Sequence, residues 1–135
     1  MSLFSALSTA GTGVDAMQTW IDAAAANVAN ANDAVATSQP AYAEQTAVFT
    51  PVAAPIPGQP GGGVSASIAE GSTAGVITYD PTSALANSQG DVKLPALSIA
   101  DQLAGLIQAQ DGYQANTVVM ARAIAAYQSG LTIGS

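Results

Sequence analysis

The chain contains neither cysteine nor histidine, and only two of its 135 residues are basic, Lys93 and Arg122. The missing residue types exclude disulfides, thiol nucleophiles, histidine general bases and the usual structural zinc sites. Two cations cannot form the basic patch that binds nucleic acid phosphates or an anionic lipid surface. We therefore expect no cofactor, no metal, no nucleic acid partner and no direct lipid binding.

Charge of either sign is scarce. Only 8% of the residues are charged, against about 25% in an average protein, while 49% are hydrophobic and the net charge is −7. A chain of this length and hydrophobicity is expected to form one folded domain. With so few charges on its surface, it must bury its apolar side chains internally or against other chains.

Membrane and targeting patterns are also missing. There is no run of about 18 apolar residues, and residues 1–10 lack the basic residues that precede the apolar stretch of a secretory leader. We expect that the protein is exported without a cleaved signal peptide, if it leaves the cytoplasm.

Proline divides the chain into three parts. All seven prolines lie between Pro40 and Pro95, and proline disrupts helix interiors. This predicts an N-terminal helix in 1–39, a Pro/Gly-rich insert with short strands in 40–95, and a C-terminal helix in 96–135. The expected fold is mainly α, with two long helices in a coiled-coil-like hairpin and a small irregular or β-hairpin insert.

Both terminal segments show apolar residues at alternating spacings of four and three, the heptad pattern of coiled coils. The seam of the first comprises Leu3, Leu7, Ala10, Val14, Met17, Ile21, Ala24, Val28 and Ala31. The seam of the second comprises Leu103, Leu106, Gln110, Tyr113, Thr117, Met120, Ile124, Tyr127 and Leu131. Gly11 and Gly13 each cost the first helix up to about 1 kcal/mol, unless they admit a close neighbour.

The insert carries three strand candidates, 48–52, 64–68 and 76–79. Glu70–Gly75 has the composition of a hairpin loop between the second and third. The prolines at 55, 57 and 60 and the glycines at 58 and 61–63 predict a flexible connector.

Apolar residues off the two seams indicate burial on several sides. Trp20 lies beside the first seam, and Ile107, Val118 and Val119 lie off the second. Two helices and a small hairpin cannot bury so much surface alone, so we expect an assembly interface. Its predicted residues are Leu3, Leu7, Val14, Met17, Trp20, Ile21, Val28, Leu103, Leu106, Tyr113, Met120, Ile124, Tyr127 and Leu131.

Several motifs resemble the axial proteins of the bacterial flagellum, the family of rod, hook and hook-associated proteins. The opening 2–14 is similar to their N-terminal start, and Asn27-Val-Ala-Asn30-Ala-Asn32 resembles their Asn-Leu-Ala-Asn-x-Asn motif. Tyr113-Gln114-Ala115-Asn116 is similar to their Tyr-Gln-Ala-Asn motif. The short insert and the stretch 79–95 resemble the rod members in particular. After Tyr42 the family usually has basic residues, whereas this chain has Ala43-Glu44.

This resemblance implies a structural subunit of the proximal rod of the flagellar basal body, not an enzyme. It implies polymerisation through the terminal helices into a torque-transmitting tube around the export channel. The implied location is the rod spanning the periplasm. The implied partners are copies of the chain, other rod proteins, an adaptor on the membrane-ring and export-gate side, and the distal rod.

Three alternatives compete with this interpretation. Asp15 and Asp22 could form a carboxylate pair, but two helical turns separate them by about 10 Å, so catalysis is disfavoured. A secreted helical-hairpin adaptor forming a closed dimer would share the heptads, and a sister rod protein would share the motifs. A rod subunit is expected to have poorly ordered ends when monomeric and to form long assemblies, whereas a closed dimer would stop growing.

Overall fold

Two long helices precede and follow two small β-hairpins along the chain in the computed structural model, which describes residues 3–54 and 61–133. The elements in chain order are α1 (Leu3–Asn30), β1 (Gln45–Val52), β2 (Gly63–Glu70), β3 (Val76–Tyr79), β4 (Asp91–Leu94) and α2 (Ile99–Ile133). The mainly α fold with a small β insert is confirmed. The division of the chain into an N-terminal part, an insert and a C-terminal part, at 39/40 and 95/96, stays a prediction.

The helices pack antiparallel through small side chains. Gly13 of α1 lies against Asn116 of α2, and Gly112 of α2 lies against Met17. The buried residues of the pair are Ala10, Gly13, Ala16, Ala23, Ala24, Asn27, Ala109 and Ala123. Small residues let the two backbones approach closely, because no long side chain separates them.

The predicted coiled-coil packing is not confirmed. The line of buried residues shares Ala10 and Ala24 with the predicted seam of α1, but its other members lie beside that seam. On α2, the buried residues Ala109 and Ala123 each lie one position before a predicted seam residue. The larger seam residues therefore stand at the margins of the helix contact.

The first hairpin lies along α1. Strands β1 and β2 pair antiparallel from Gln45 opposite Glu70 to Val52 opposite Gly63. Phe49 packs edge-on against Trp20 of α1, with ring centroids 5.8 Å apart. The aromatic contact joins the hairpin to the same helix that packs on α2.

The expected hairpin between 64–68 and 76–79 is wrong, because β2 pairs with β1 and β3 pairs with β4. Backbone bonds from Gly71 N–H to Glu44 O (2.8 Å) and from Ala41 N–H to Thr73 O (2.9 Å) hold 71–75 against the segment before β1. That stretch therefore links two sheets. The predicted connector lies outside the described residues at Pro55, Pro57, Gly58 and Pro60.

The second hairpin is tied to the end of α1 by its last strand. Val35 and Lys93 exchange two backbone hydrogen bonds of 2.9 Å, and Lys93 Nζ donates to Gln39 O at 2.8 Å. Val92 of β4 is fully buried. Strand β4 therefore forms the link between the insert and the segment that leaves α1.

Candidate assembly surface

Large apolar side chains remain exposed along α2 and at the start of α1 although the helices pack together. On α2 these are Ile99, Leu103, Ile107, Val118, Val119, Ile124, Tyr127 and Leu131. Ile107 is 60% exposed and Leu131 is 57% exposed. Extensive exposed apolar surface marks interaction sites in soluble proteins.

The position of the helix contact explains this exposure. Alanine and glycine occupy the centre of the contact, so the larger residues of each helix point to its sides. Leucine or isoleucine at these margins covers the other helix only in part. The sequence therefore folds into a pair whose apolar faces are larger than the surface that the pair itself buries.

The predicted assembly residues fall into two groups. Five are exposed: Leu3, Leu103, Ile124, Tyr127 and Leu131. Nine are half-buried: Leu7, Val14, Met17, Trp20, Ile21, Val28, Leu106, Tyr113 and Met120. Their role in assembly stays a prediction. Trp20 also makes a contact within the chain, because its ring packs against Phe49.

An apolar groove opens at the end of the helix pair where α1 begins. Leu3, Phe4, Leu7, Ala123, Ile124 and Tyr127 line this groove, whose volume is about 180 Å³. Phe4 and Tyr127 pack edge-on across it with centroids 5.7 Å apart. Phe4 was absent from the predicted assembly residues, because it lies beside the heptad positions.

The asparagine motif at the end of α1 forms a buried polar junction. Asn27 is 0% exposed, and its Nδ2 donates to Gln45 O and Gln102 Oε1, both at 2.8 Å. Its Oδ1 accepts from Gln45 N–H at 2.8 Å and from the Tyr42 hydroxyl at 3.1 Å. One amide thus satisfies both backbone groups of Gln45 and ties β1 to both helices.

Glu44 extends the junction by accepting a hydrogen bond from Gln102 Nε2 at 2.6 Å.

Burial raises the pKa of Tyr42, the neighbouring Asn30 amide partly lowers it, and the negative charge of Glu70 raises it further. Sequence reasoning identified Asn27 but missed Gln45 and Gln102, because no periodic pattern links residues 75 positions apart.

The remaining motif residues have separate roles. Asn30 Nδ2 donates to Ala26 O at 2.8 Å in the last turn of α1, whereas Asn32 is exposed. On α2, Asn116 Nδ2 donates to Gly112 O at 2.9 Å and its side chain covers Gly13. Gln114 and Ala115 are exposed on the same helix.

Within residues 3–54 and 61–133, no three histidine, cysteine or carboxylate groups could hold a metal ion. Asp80 Oδ1 accepts from Thr82 N–H and hydroxyl, which fits a turn. In the same described ranges, no helix is long and apolar enough to cross a bilayer.

Small residues in the helix contact and large apolar residues exposed outside it define a protein with a surface suited to packing against other chains. The chain is 31% identical to the flagellar basal-body rod protein FlgC of Salmonella typhimurium over 135 residues, covering 99% of each chain. It is 30% identical to FlgC of Escherichia coli O6:H1, again over 99% of each. It is 29% identical to FlgC of Borreliella burgdorferi over 98% of each.

No family model matches the chain. The near-complete coverage at 31% identity nevertheless shows that the chain belongs to the FlgC family of flagellar basal-body rod proteins. Its function is that of a structural subunit of the basal-body rod, in the machinery of bacterial motility.

Proposed function

We propose that the chain polymerises through its terminal helices into the wall of the proximal rod, forming a tube that surrounds the export channel and transmits torque. The observation that carries this proposal is the set of large apolar residues exposed on α2, including Leu103, Ile124 and Leu131. Burying them against neighbouring subunits would supply the main driving force for assembly.

Torque transmission needs subunits that cannot rotate against one another. Helix α1 has 28 residues and α2 has 35, so the helices extend over about 40–50 Å at about 1.5 Å per residue. Broad contacts along helices of this length resist sliding and rotation better than a small contact does. The low charge of the chain favours apolar contacts over ion pairs at these interfaces.

The proposed partners are copies of the chain, other rod proteins, an adaptor on the membrane-ring and export-gate side, and the distal rod. We propose a location in the rod across the periplasm, reached without cleavage of a signal peptide. The proposed role is structural and involves no catalysis. The separated carboxylates and the absence of histidine and cysteine support this part of the proposal.

The test is to place a charge on the exposed apolar surface in cells that depend on this chain for their rods. Ile124→Asp or Leu131→Asp should block rod completion and swimming, because a carboxylate in a buried apolar contact has no partner. Export of the variant chain should continue. Ser129→Asp, at an exposed polar position on a different side of the same helix from Ile124 and Leu131, is the matched control and should leave swimming intact.

Circular dichroism of the purified variants checks that α2 still folds. Both substituted residues are about half exposed, 45% for Ile124 and 57% for Leu131, so each variant should keep the helix content of the natural chain. Complete basal bodies and normal swimming with either aspartate variant would contradict the proposal.

A further inference from the structure

The second hairpin has a strand edge that no helix or other strand covers. Within residues 3–54 and 61–133, strand β3 contacts β4 and no other helix or strand. Strand β4 is paired on its far side with Val35, which exchanges two backbone hydrogen bonds with Lys93. The free edge of this small sheet is therefore the outer edge of β3.

The hydrogen bonds of the sheet show which backbone groups point out of this edge. In an antiparallel pair the bonding direction alternates from one residue to the next. Lys93 bonds to Val35, so its neighbour Val92 bonds to the residue opposite it, Thr78. Ile77, next to Thr78, therefore directs its N–H and C=O away from β4.

Tyr79 directs its backbone groups out of the same edge. Asp80 N–H donates to Gly90 O at 2.8 Å, so residue 80 points back across the hairpin and its neighbour Tyr79 points away from it. In the described parts of the chain, no residue outside the hairpin bonds to the backbone of Ile77 or Tyr79. The edge thus offers a donor and an acceptor at each of two residues spaced two apart.

The side chains along this edge are apolar and exposed. Ile77 is 55% exposed and Tyr79 is 70% exposed, and both lie on the face opposite the fully buried Val92, because side chains alternate along a strand. The four residues of β3 all favour strands. None is a proline or a charged residue, the types that protect natural edges from pairing. This edge is therefore a template for another strand.

The edge is complementary to itself. A second copy of β3, running antiparallel, can place its Tyr79 opposite Ile77 and its Ile77 opposite Tyr79, and each of these pairs exchanges two backbone hydrogen bonds. The aliphatic and aromatic side chains then pack side by side across the strands. A shift of two residues brings in either Pro81, which lacks an N–H, or Gly75, which leaves the strand at a φ of 64°.

We propose that two copies of the free chain pair through β3 about a two-fold axis at Thr78, which joins their second hairpins into one continuous sheet. The same residues lie on both sides of this contact, so it is isologous and closed. It turns the two chains in opposite directions, whereas neighbours in a continuous tube meet through two different surfaces. The contact therefore goes beyond the proposed function, because it describes the chain before the chain enters the rod.

The contact is small, and the net charge of the chain opposes it. A strand of four residues buries less than the about 1,200 Å² of a stable interface, so pairing needs a high protein concentration. Each copy has a net charge of −7, and the two copies repel each other. Added salt should therefore raise the fraction of dimer, which is the opposite of the response expected for a contact held by ion pairs.

A single introduced cysteine tests the two-fold axis, because the natural chain has none. On the axis, the two Thr78 residues form a non-hydrogen-bonded pair with α-carbons about 4.5 Å apart, within the about 4.4–6.8 Å that a disulfide spans. Purified Thr78→Cys, at millimolar concentration with a mild oxidant, should give a covalent dimer on denaturing gels without reductant.

Val76→Cys is the matched control, on the same strand and the same face. Val76 is 53% exposed, but its two copies would stand about 13 Å apart along the paired strands, too far for a disulfide. A dimer yield from Thr78→Cys no higher than that from Val76→Cys would overturn the proposal and leave the rod function standing. Absence of the chain from isolated basal bodies would contradict the rod function and leave the pairing standing.

The rod itself gives a second measurement. Thr78→Cys should stay monomeric in oxidised basal bodies, because a continuous tube has no two-fold contact between its subunits. A disulfide dimer there would overturn the assignment of the contact to the free chain.

Proline at residue 77 tests the register. The N–H of Ile77 points outward, so Ile77→Pro removes a donor from the dimer and none from the hairpin. Added to Thr78→Cys, it removes one donor from each copy and should lower the dimer yield about tenfold. Ile77→Val keeps the donor and should keep most of the yield. Equal yields with and without Ile77→Pro, at an unchanged urea midpoint, would overturn the proposed pairing.

Discussion

Gly13 lies directly against the side chain of Asn116, since a β-carbon at residue 13 would stand 2.5 Å from Asn116 Oδ1. The two residues lie on different helices, Gly13 on α1 and Asn116 on α2. The contact explains a glycine inside α1, where helix propensity alone disfavours it. It also predicts that three glycines of the helices respond differently to the same substitution.

Gly13→Ala should lower the free energy of unfolding by about 1 kcal/mol, because overpacking costs about 1–3 kcal/mol and the helix regains up to about 1 kcal/mol. Gly112→Ala should be nearly neutral, since its contact is the flexible Met17 side chain. Gly11→Ala meets nothing within 4 Å and should stabilise. Urea unfolding of the three variants measures this order, and a stabilised Gly13→Ala would contradict the packing.

Asn27→Ala should cost about 3 kcal/mol or more of unfolding free energy. The substitution leaves the half-buried groups of Gln45 and Gln102 without their Asn27 partner, and an unsatisfied group costs up to about 1–3 kcal/mol. Asn32→Ala, at an exposed position of the same motif, should change stability by less than about 0.5 kcal/mol. Equal losses in the two variants would show that the junction does not hold β1 to the helices.

Tyr42 should make stability fall at alkaline pH. Burial raises its pKa above the usual 10.0, offset partly by Asn30 and reinforced by Glu70, so the folded state holds its proton more tightly than the unfolded state. This contribution is complete below pH 10.0 and is lost as pH rises through the raised pKa.

The measurement compares urea unfolding of the natural chain and of Tyr42→Phe across this alkaline range. The phenylalanine variant should lose less stability as pH rises, and the difference between the two absorbance titrations should place the pKa of Tyr42 above 10.0. Identical pH profiles would contradict the partial burial of the Tyr42 hydroxyl in the folded chain.

Substitutions of Phe49 and Phe4 should distinguish a residue needed for folding from a residue needed for assembly. Phe49→Ala removes the ring beside Trp20, and such an aromatic pair contributes about 0.5–1.5 kcal/mol beyond its burial. It should lower stability and alter the fluorescence of the single tryptophan. Phe4→Ala, at a ring 68% exposed in the groove, should change stability less and impair rod completion more. The reverse pattern would show that the groove serves folding only.

The helices were predictable from sequence because proline is confined to the middle and apolar residues recur at helical spacing. Which faces the helices use in their contact was not predictable in the same way. The heptad pattern selects large residues such as Leu7 and Ile124, whereas the structure packs Ala10, Gly13 and Ala109 at the centre. Apolar periodicity identifies the apolar face of a helix, but it does not show which residues within that face contact the partner helix.

The strands of the insert and their pairing were also only partly predictable from the sequence. Three strand segments were identified by their β-branched residues, but the four-residue β4, with Asp91 and Lys93, carries too weak an alternation. Pairing was misassigned because turn residues at 70–75 favour a hairpin locally. The bonds of Gly71 and Thr73 to segments some 27 or more positions earlier override that local preference.

The central claim is that the exposed apolar faces of the helix pair become buried in the rod. Electron cryomicroscopy of isolated basal bodies, at a resolution that shows side chains, tests it most directly. The account predicts the chain in the rod wall, with Ile107, Ile124 and Leu131 covered by neighbouring subunits. A rod wall without this chain, or one in which these three side chains face solvent, would contradict it.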